Sequence, residues 1–467
     1  MQSKQNYHIN KISLIFLALV TLNSCKKFVE IDPPVTQISS NTVFTSDATA
    51  TSAMAGVYSQ MMQQVGSAAF PNGSPTILMG ISSDELQNFS SNPDYNEFGN
   101  NNIKPPNTEI QNLWNQGYKY IYDANAIIEG LNSSNGVSPA VKEELIGEAR
   151  FCRAFCNFYL VNFFGNIPSI VSTDYRVNEI AFRIDRDSIY KSIIHDLTSA
   201  QDVLSTDYSF SKGERIRPNK WAANALLSRV YLFNGDWANS EKQASSVIQN
   251  VSLYSLVPDL NAVFLKNSSE SIWQLLPVAA NYNYSTEDAY WFIPSNGAKP
   301  NAALNSTLLQ AFELNDQRKI NWVDSVSYSA QLYYLPFKYK VTGTMNSTEY
   351  YTVLRLAEQF LNRAEARAKQ NNIADAETDL NIIRNRAGLP SLHAGDQTQL
   401  LGFIQHERQI ELFAEWGFRW LDLKRTGTAD AILGPIKAPI WQSTDTLYPI
   451  PHSEIGLNPN LTQNPGY

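Results

Sequence analysis

Residues 147–168 read GEARFCRAFCNFYLVNFFGNIP. Counting from Leu145, the side chains of Ala149, Cys152, Phe155, Tyr159 and Phe163 recur every three or four positions. That is the period of one face of an α-helix. Ser138-Pro139 opens this helix, since proline fits the first helical position, where its missing N–H is not needed. Gly165 stops it, because glycine enters the left-handed conformation without a Cβ penalty. Cys152 and Cys156 stand at i, i+4, where helix geometry opposes a disulfide between them. No second Cys or His pair lies nearby, so they read as small buried side chains and not as half of a metal site.

The same period extends outward from this stretch. Residues 109–131 keep an apolar face through Ile110, Leu113, Tyr118, Ile121, Ala124, Ile128 and Leu131. Asp187 to Leu204, the run after Pro218, and residues 238–250 continue the style. It returns at 353–370, 374–387 (closed by Gly388), 398–414 and 416–424. Small alanines where helices would cross, and short turns between partners, resemble tetratricopeptide helix pairs, although no strict 34-residue self-match exists. The predicted fold class is mainly α: a scaffold of tetratricopeptide-like helix pairs with long irregular insertions. The insertions fall at 66–108 and 265–350, which lack helical period and are rich in Asn, Ser, Pro, Gly and aromatics. Loops of such length are functional or disordered, and their aromatic density argues against disorder.

The N-terminal end sets the expected compartment. Residues 1–11 carry Lys4 and Lys11 and no acid, and 12–22 (ISLIFLALVTL) are apolar but too short to span a bilayer. This pattern reads as a secretory signal. Leu22-Asn23-Ser24-Cys25 at its end resembles the lipobox of bacterial lipoproteins. Residues 1–24 are therefore expected to be a lipoprotein signal peptide and Cys25 the lipid attachment site. Several acyl chains would then anchor the protein stably. Residues 25–48, with Pro33 and Pro34, read as the lipidated Cys and a tether, with Asp47 capping the first helix. Residues 49–467 are expected to form a single domain.

The formal charge is −8, and it becomes more negative without the basic residues 1–24. Such a chain repels phosphate backbones, so nucleic acid is excluded as a partner. Of His8, His195, His393, His406 and His452, none stands in HExxH; the run from His406 is HERQI. There is no GxSxG elbow, GxxxxGK[ST] loop or GxGxxG turn. The neighbouring acids Asp84 and Glu85 do not establish the separated carboxyl pair that glycoside hydrolysis needs. The chain is expected to be no enzyme and to need no cofactor or metal.

Several blocks, in order, resemble the SusD/RagB family. They are CKKFVEIDPP (25–34), the 147–168 stretch, RPNKWAANALLSRVYLFNGDW (217–237), LRLAEQFLNRAEARA (354–368), LNIIRNRAGL (380–389), ERQIELFAEWGFRWLDLKRTG (407–427) and YPIPHSEIGLNPNLTQNPGY (448–467). The charged residues in these blocks, among them Glu148, Arg150, Arg153, Glu365, Arg384, Glu407, Glu411, Arg419 and Asp422, read as ion pairs fixing the scaffold, because buried charges must be paired. The resemblance implies a lipid-anchored outer-membrane protein facing the cell exterior. It implies a nutrient ligand, most often an oligosaccharide or polysaccharide, delivered to a SusC-like TonB-dependent transporter. The alternatives are a peptide ligand, or a helical-repeat scaffold that recruits protein partners.

The resemblance places ligand contacts in the insertions, where two loops stand out. SSDELQNFSSNPDYNEFGNNN (82–102) carries Asp84, Glu85, Tyr95 and Phe98 among asparagines. AANYNYSTEDAYWFIP (279–294) carries Tyr282, Tyr284, Tyr290 and Trp291 beside Glu287 and Asp288. A sugar site needs exposed rings for stacking and planar polar groups for paired hydrogen bonds. These eight side chains, Asp84 to Trp291, are the expected ligand-binding set. The competing expectation is that the rings plug the loops onto the helical body. Trp273, followed by Leu275 and Leu276, is expected in the core.

Overall fold

A computed structural model describes residues 43–63, 69–278, 284–343 and 346–467. Cys25, the tether up to residue 42 and Tyr282 lie outside these residues. The expected 147–168 helix runs Pro139–Phe164 and closes at Gly165, whose φ is 71°. Nearly every turn of it is buried, with Cys152 and Cys156 fully enclosed. Burial pushes both thiols well above their usual range, so they act as packing groups.

Helix Pro139–Phe164 packs between Thr108–Ser133 and Arg186–Val203. Helix Arg186–Val203 then meets Lys220–Phe233, which pairs with Trp237–Ile248. That helix lies on Leu356–Lys369, which pairs with Ile373–Arg386 and Gln397–Glu411. The result is a row of helix pairs, as expected. Ala222, Ala223, Ala225, Ala364, Ala366 and Ala368 are fully buried at the crossings, where small side chains let the backbones approach.

Short polar residues start several of these helices by accepting the free N–H groups of the first turn. Asn107 caps Thr108–Ser133, Asp185 caps Arg186–Val203, Asn219 caps Lys220–Phe233 and Asp396 caps Gln397–Glu411. Asp47 does not cap its own helix. Ser46 does so, accepting from Thr49 N–H at 3.3 Å. Asp47 instead accepts from the N–H and hydroxyl of Ser138, at 2.7 and 2.8 Å, and ties the first helix to the start of Pro139–Phe164.

The insertions differ from their expected irregular form. The first contains helices Ser74–Ser82 and Pro93–Asn100 and strand Leu86–Asn88. Every residue of Ser74–Ser82 is buried, so it shows no amphipathic period, and the other two elements are too short to show one. The second begins and ends in an antiparallel pair, Ser271–Leu275 with Tyr351–Arg355, buried throughout. This strand takes residues 353–355 away from the expected helix, which begins at Leu356. Trp273 on the first strand is fully buried, with Phe151 and Phe155 edge-on to it.

Charges bind the second insertion to the scaffold. Arg355 contacts Glu270, Glu411 and Glu415, Arg386 contacts Glu270 and Glu411, and Arg318 contacts Asp316, Glu407 and Glu411. Lys338 pairs with Glu415, and Arg384 with Glu407 and Glu313. Elsewhere Glu148 pairs with Arg217, Arg153 with Asp196, Glu365 with Arg425, Asp422 with Arg408, and Arg419 with Asp84. The scaffold reading of these charges is correct except at Arg150, which enters no ion pair among the described residues.

Arg355→Leu is expected to destabilise the fold by about 3–5 kcal/mol, because it strands buried carboxylates without their cation. Urea unfolding followed by circular dichroism measures this; a loss under about 1 kcal/mol would mean that the network does not hold the insertion in place.

Candidate functional site

The two loops singled out in the sequence meet in the structure. Tyr95, on Pro93–Asn100, and Trp291, on Glu287–Phe292, touch edge to face with ring centroids 5.2 Å apart. Both are nearly enclosed, at 5% and 4% exposure. Phe98 is fully buried, edge-on to Tyr448 at 5.3 Å. A ring so covered has no free face for a sugar. The exposure expected of Tyr95, Phe98 and Trp291 is therefore corrected: these rings dock the loops to each other and to the core.

The acids are likewise turned inward. Asp84 forms a two-point ion pair with Arg419, Nε to Oδ1 at 2.7 Å and Nη2 to Oδ2 at 2.8 Å. Glu85 is buried and accepts from Ala414 N–H at 2.9 Å. Burial pushes its carboxyl up to about 8, so at neutral pH it is held as the acid. Glu287 and Asp288 are also buried, and burial drives Asp288 well above the carboxylate range, with the neighbouring charge of Glu287 adding to the shift. Of the described candidates only Tyr290, 45% exposed, and the half-buried Tyr284 reach solvent.

What the first loop does present is a polar cleft of about 370 Å³. Strand Leu86–Asn88 pairs antiparallel with Ala302–Leu304, Leu86 opposite Leu304 and Asn88 opposite Ala302. Leu86 anchors the strand against Gly80, where an added Cβ would stand 2.6 Å from the leucine side chain. Asn92 caps Pro93–Asn100 by accepting from Asp94 N–H at 3.0 Å, and Asn101 ends it at φ 51°. Lys437 closes the floor. Its ammonium donates to the carbonyls of Ile81, Ser82 and Gly99 and to Asn101 Oδ1, joining the ends of two helices. Burial pushes it down to about 7.

Gln87, Asn88, Asn96, Asn100 and Asn305 line this cleft with Lys437, and no carboxylate does. Asn88 Nδ2 donates to Asn96 Oδ1 at 2.8 Å, which orients both carboxamides. A carboxamide offers donors and an acceptor in one plane, the complement of two neighbouring hydroxyls. Ile436, itself exposed, forms an apolar edge of the cleft. Sequence reasoning noticed the asparagines of 82–102 but assigned contact to the rings and acids between them. It passed over Asn305, Ile436 and Lys437, whose signals were a lone carboxamide and the apolar run AILGPIKAPIW (431–441).

A family model described as "Starch-binding associating with outer membrane" matches residues 28–232, and one described as "SusD family" matches 329–467. Together they span roughly three quarters of the chain. The chain belongs to the SusD/RagB family, a class of binding proteins and not of enzymes. A SusD-like protein, P25 of Formosa agariphila, is 26% identical over 97% of this chain and 98% of its own length. A SusD superfamily structure from Bacteroides vulgatus superposes with a TM-score of 0.79 at 20% identity, over 91% of this chain and all of that one. The surface glycan-binding protein A of Bacteroides fluxus superposes at 0.77 with 23% identity, over 90% of this chain and all of that one. At those identities the superpositions establish the fold. The helix-pair scaffold with its insertions is thus the SusD fold. Among the described residues no helix is long and apolar enough to cross a membrane.

Glu85 yields a pH test. Its folded pKa is raised above the unfolded value, so its contribution is complete below the unfolded carboxylate pKa. That contribution is lost as pH rises toward about 8. Glu85→Gln should remove this fall, gaining on the native chain between pH 5 and 8 in denaturant midpoints. Parallel stability–pH curves would show that Glu85 is ionised in the fold.

Proposed function

We propose that this chain is a lipid-anchored protein of the outer-membrane surface that binds a carbohydrate in the carboxamide cleft and delivers it to a SusC-like TonB-dependent transporter. The observation that carries the ligand class is the set of five carboxamides converging on one cleft without a carboxylate. Neutral hydroxyl-rich ligands suit such a lining, because each amide plane can donate to one hydroxyl and accept from the next. The apolar edge at Ile436 supplies a surface for the CH face of a sugar ring. The description of the matching family as starch-binding, and of a structural relative as glycan-binding, point the same way. Tyr290 and Tyr284 stay in the proposal as candidate peripheral contacts, on the strength of their exposure.

Calorimetry with a panel of neutral polysaccharides, oligosaccharides and peptides tests this reading. Asn88→Ala and Asn96→Ala should each weaken a binding glycan by about 0.5–1.5 kcal/mol, the net worth of a hydrogen bond. The double variant should be folded by circular dichroism. Full affinity in that folded variant would move the ligand out of the cleft, and a response to peptides alone would replace the carbohydrate reading.

The transporter partnership has a candidate surface. Tyr122, Val171, Tyr175, Val177, Ile180, Phe182 and Leu457 are exposed large apolar side chains, Phe182 at 66%. Clustered exposure of this kind marks interaction surfaces. Two changes in one strain separate anchor from partner. Cys25→Ala should abolish acyl labelling and release the chain from membranes. Phe182→Asp with Val177→Asp should keep the label and lose a co-purifying barrel protein. Unchanged labelling in the first sinks the anchor; unchanged co-purification in the second, or no barrel partner in the native pull-down, sinks the docking face.

A further inference from the structure

We propose that a second cavity, walled by the end of helix Pro139–Phe164, the start of Arg186–Val203 and the end of Phe418–Arg425, binds a tetrahedral oxyanion, a sulfate or phosphate group. The cavity measures about 580 Å³. Arg183, Arg186, Lys424 and Arg425 line it with Asn166 and Asn464, and no acid does. In a chain of formal charge −8 such a lining is against the trend. Several buried arginines of this protein face carboxylates, Arg217 with Glu148, Arg229 with Glu358 and Arg408 with Asp422, while Arg215 and Lys437 rest on carbonyls one at a time and do not gather with other cations around a cavity. In this cavity only Arg425 is matched so closely, by Glu365 and Asp422.

The other three cations rest mainly on carbonyls, those of Asn162, Phe164 and Phe233 at helix C-termini, where carbonyls carry partial negative charge. Arg183 is satisfied by the carbonyls of Phe164, Asn166 and Thr462 and by Asn464 Oδ1. It is a fixed wall. Lys424 donates to the carbonyl of Asn162, one acceptor for three N–H bonds. Burial, with Arg186 nearby, pushes its ammonium down to about 7, and it makes no ion pair among the described residues. Arg186 donates to the carbonyl of Phe233 and lies over the Tyr190 ring at 4.4 Å. Its one carboxylate neighbour is the exposed Asp187 at 3.7 Å.

Lys424 and Arg186 therefore hold donors toward the cavity from two separate helices, with the Asn166 amide on a third element. Donors spread over three elements suit an acceptor with oxygens pointing several ways. A coplanar fork for a carboxylate is not what they form. An oxyanion would supply both the missing charge and the missing acceptors, and charge-assisted bonds of this kind are the strong ones. The site shares no lining residue with the carboxamide cleft and does not depend on what that cleft holds.

The test is calorimetric titration of the whole chain with sodium sulfate, sodium phosphate, a sulfated monosaccharide and its unsulfated parent, at ionic strength held constant with chloride. At least one sulfate- or phosphate-bearing probe should saturate a single site below about 10 mM, while the unsulfated sugar shows no heat from this site. Arg186→Gln and Lys424→Gln should each weaken that probe about tenfold or more. Saturation by the inorganic ions identifies a free anion; saturation by the sulfated sugar alone identifies a glycan-borne group, and either upholds the site. Should Lys424→Gln fail to fold, Arg186→Gln decides, because its side chain is 43% exposed at the rim. No saturation by any charged probe, or native affinity in Arg186→Gln, overturns the proposal.

Discussion

The arrangement of this protein depends on one buried exchange of charge. Arg318, Lys338, Arg355, Arg384 and Arg386 meet Glu270, Asp316, Glu407, Glu411 and Glu415 in an interior closed to water. A single buried ion costs several kcal/mol in lost hydration, so each member requires the others. Glu411 shows the balance: burial alone would raise its pKa, yet Arg386 and Arg355, followed by Arg318 and Lys338, hold it far below the usual carboxylate range. The constraint is geometric as well as energetic. Asp316, Arg318 and Lys338 belong to the long insertion, Arg355 to the strand that ends it, and Arg384 to Glu415 to the C-terminal helices. The insertion cannot shift without separating charges that water cannot reach.

Rigidity passes from that network to the cleft through packing. The insertion fixes strand Ala302–Leu304, and that strand fixes Leu86–Asn88 by pairing. Trp291 then meets Tyr95, and Phe98 meets Tyr448, so the helix bearing Asn96 and Asn100 is set against the scaffold. Lys437 ties the same helix to the end of Ser74–Ser82. Aromatic side chains thus position the carboxamides from behind. A surface held this way would lose little conformational freedom on binding, which supports the proposal of a weakly interacting, hydroxyl-rich ligand.

The helical scaffold was legible because it is built on periodic burial over long segments. Leu145 to Phe163 and Ile110 to Leu131 each give several turns of evidence, and Gly165 marks an end that only a few residue types can make. Short or wholly buried elements left no such trace: Ser74–Ser82 has no exposed face to break its pattern. Strand Tyr351–Arg355 runs straight into a helix with no turn residue between them, so the helical period appeared to begin early. The ion pairs were expected in kind, but partners such as Asp84 and Arg419 are far apart in the chain, and spacing says nothing about such pairs.

The rings of the candidate loops are buried where exposure was expected, for one physical reason. An aromatic residue in a polar loop has two uses, to stack on a ligand or to anchor the loop, and composition is identical for both. What separates them is whether a second apolar surface lies within reach. For Tyr95 that surface is Trp291, almost two hundred positions away, and each ring buries the other. The asparagines between the rings face the opposite way by the alternation of strand and helix faces, so the polar residues that seemed incidental are the ones left to meet solvent. In a loop whose aromatics pair with each other, the residues between them form the surface.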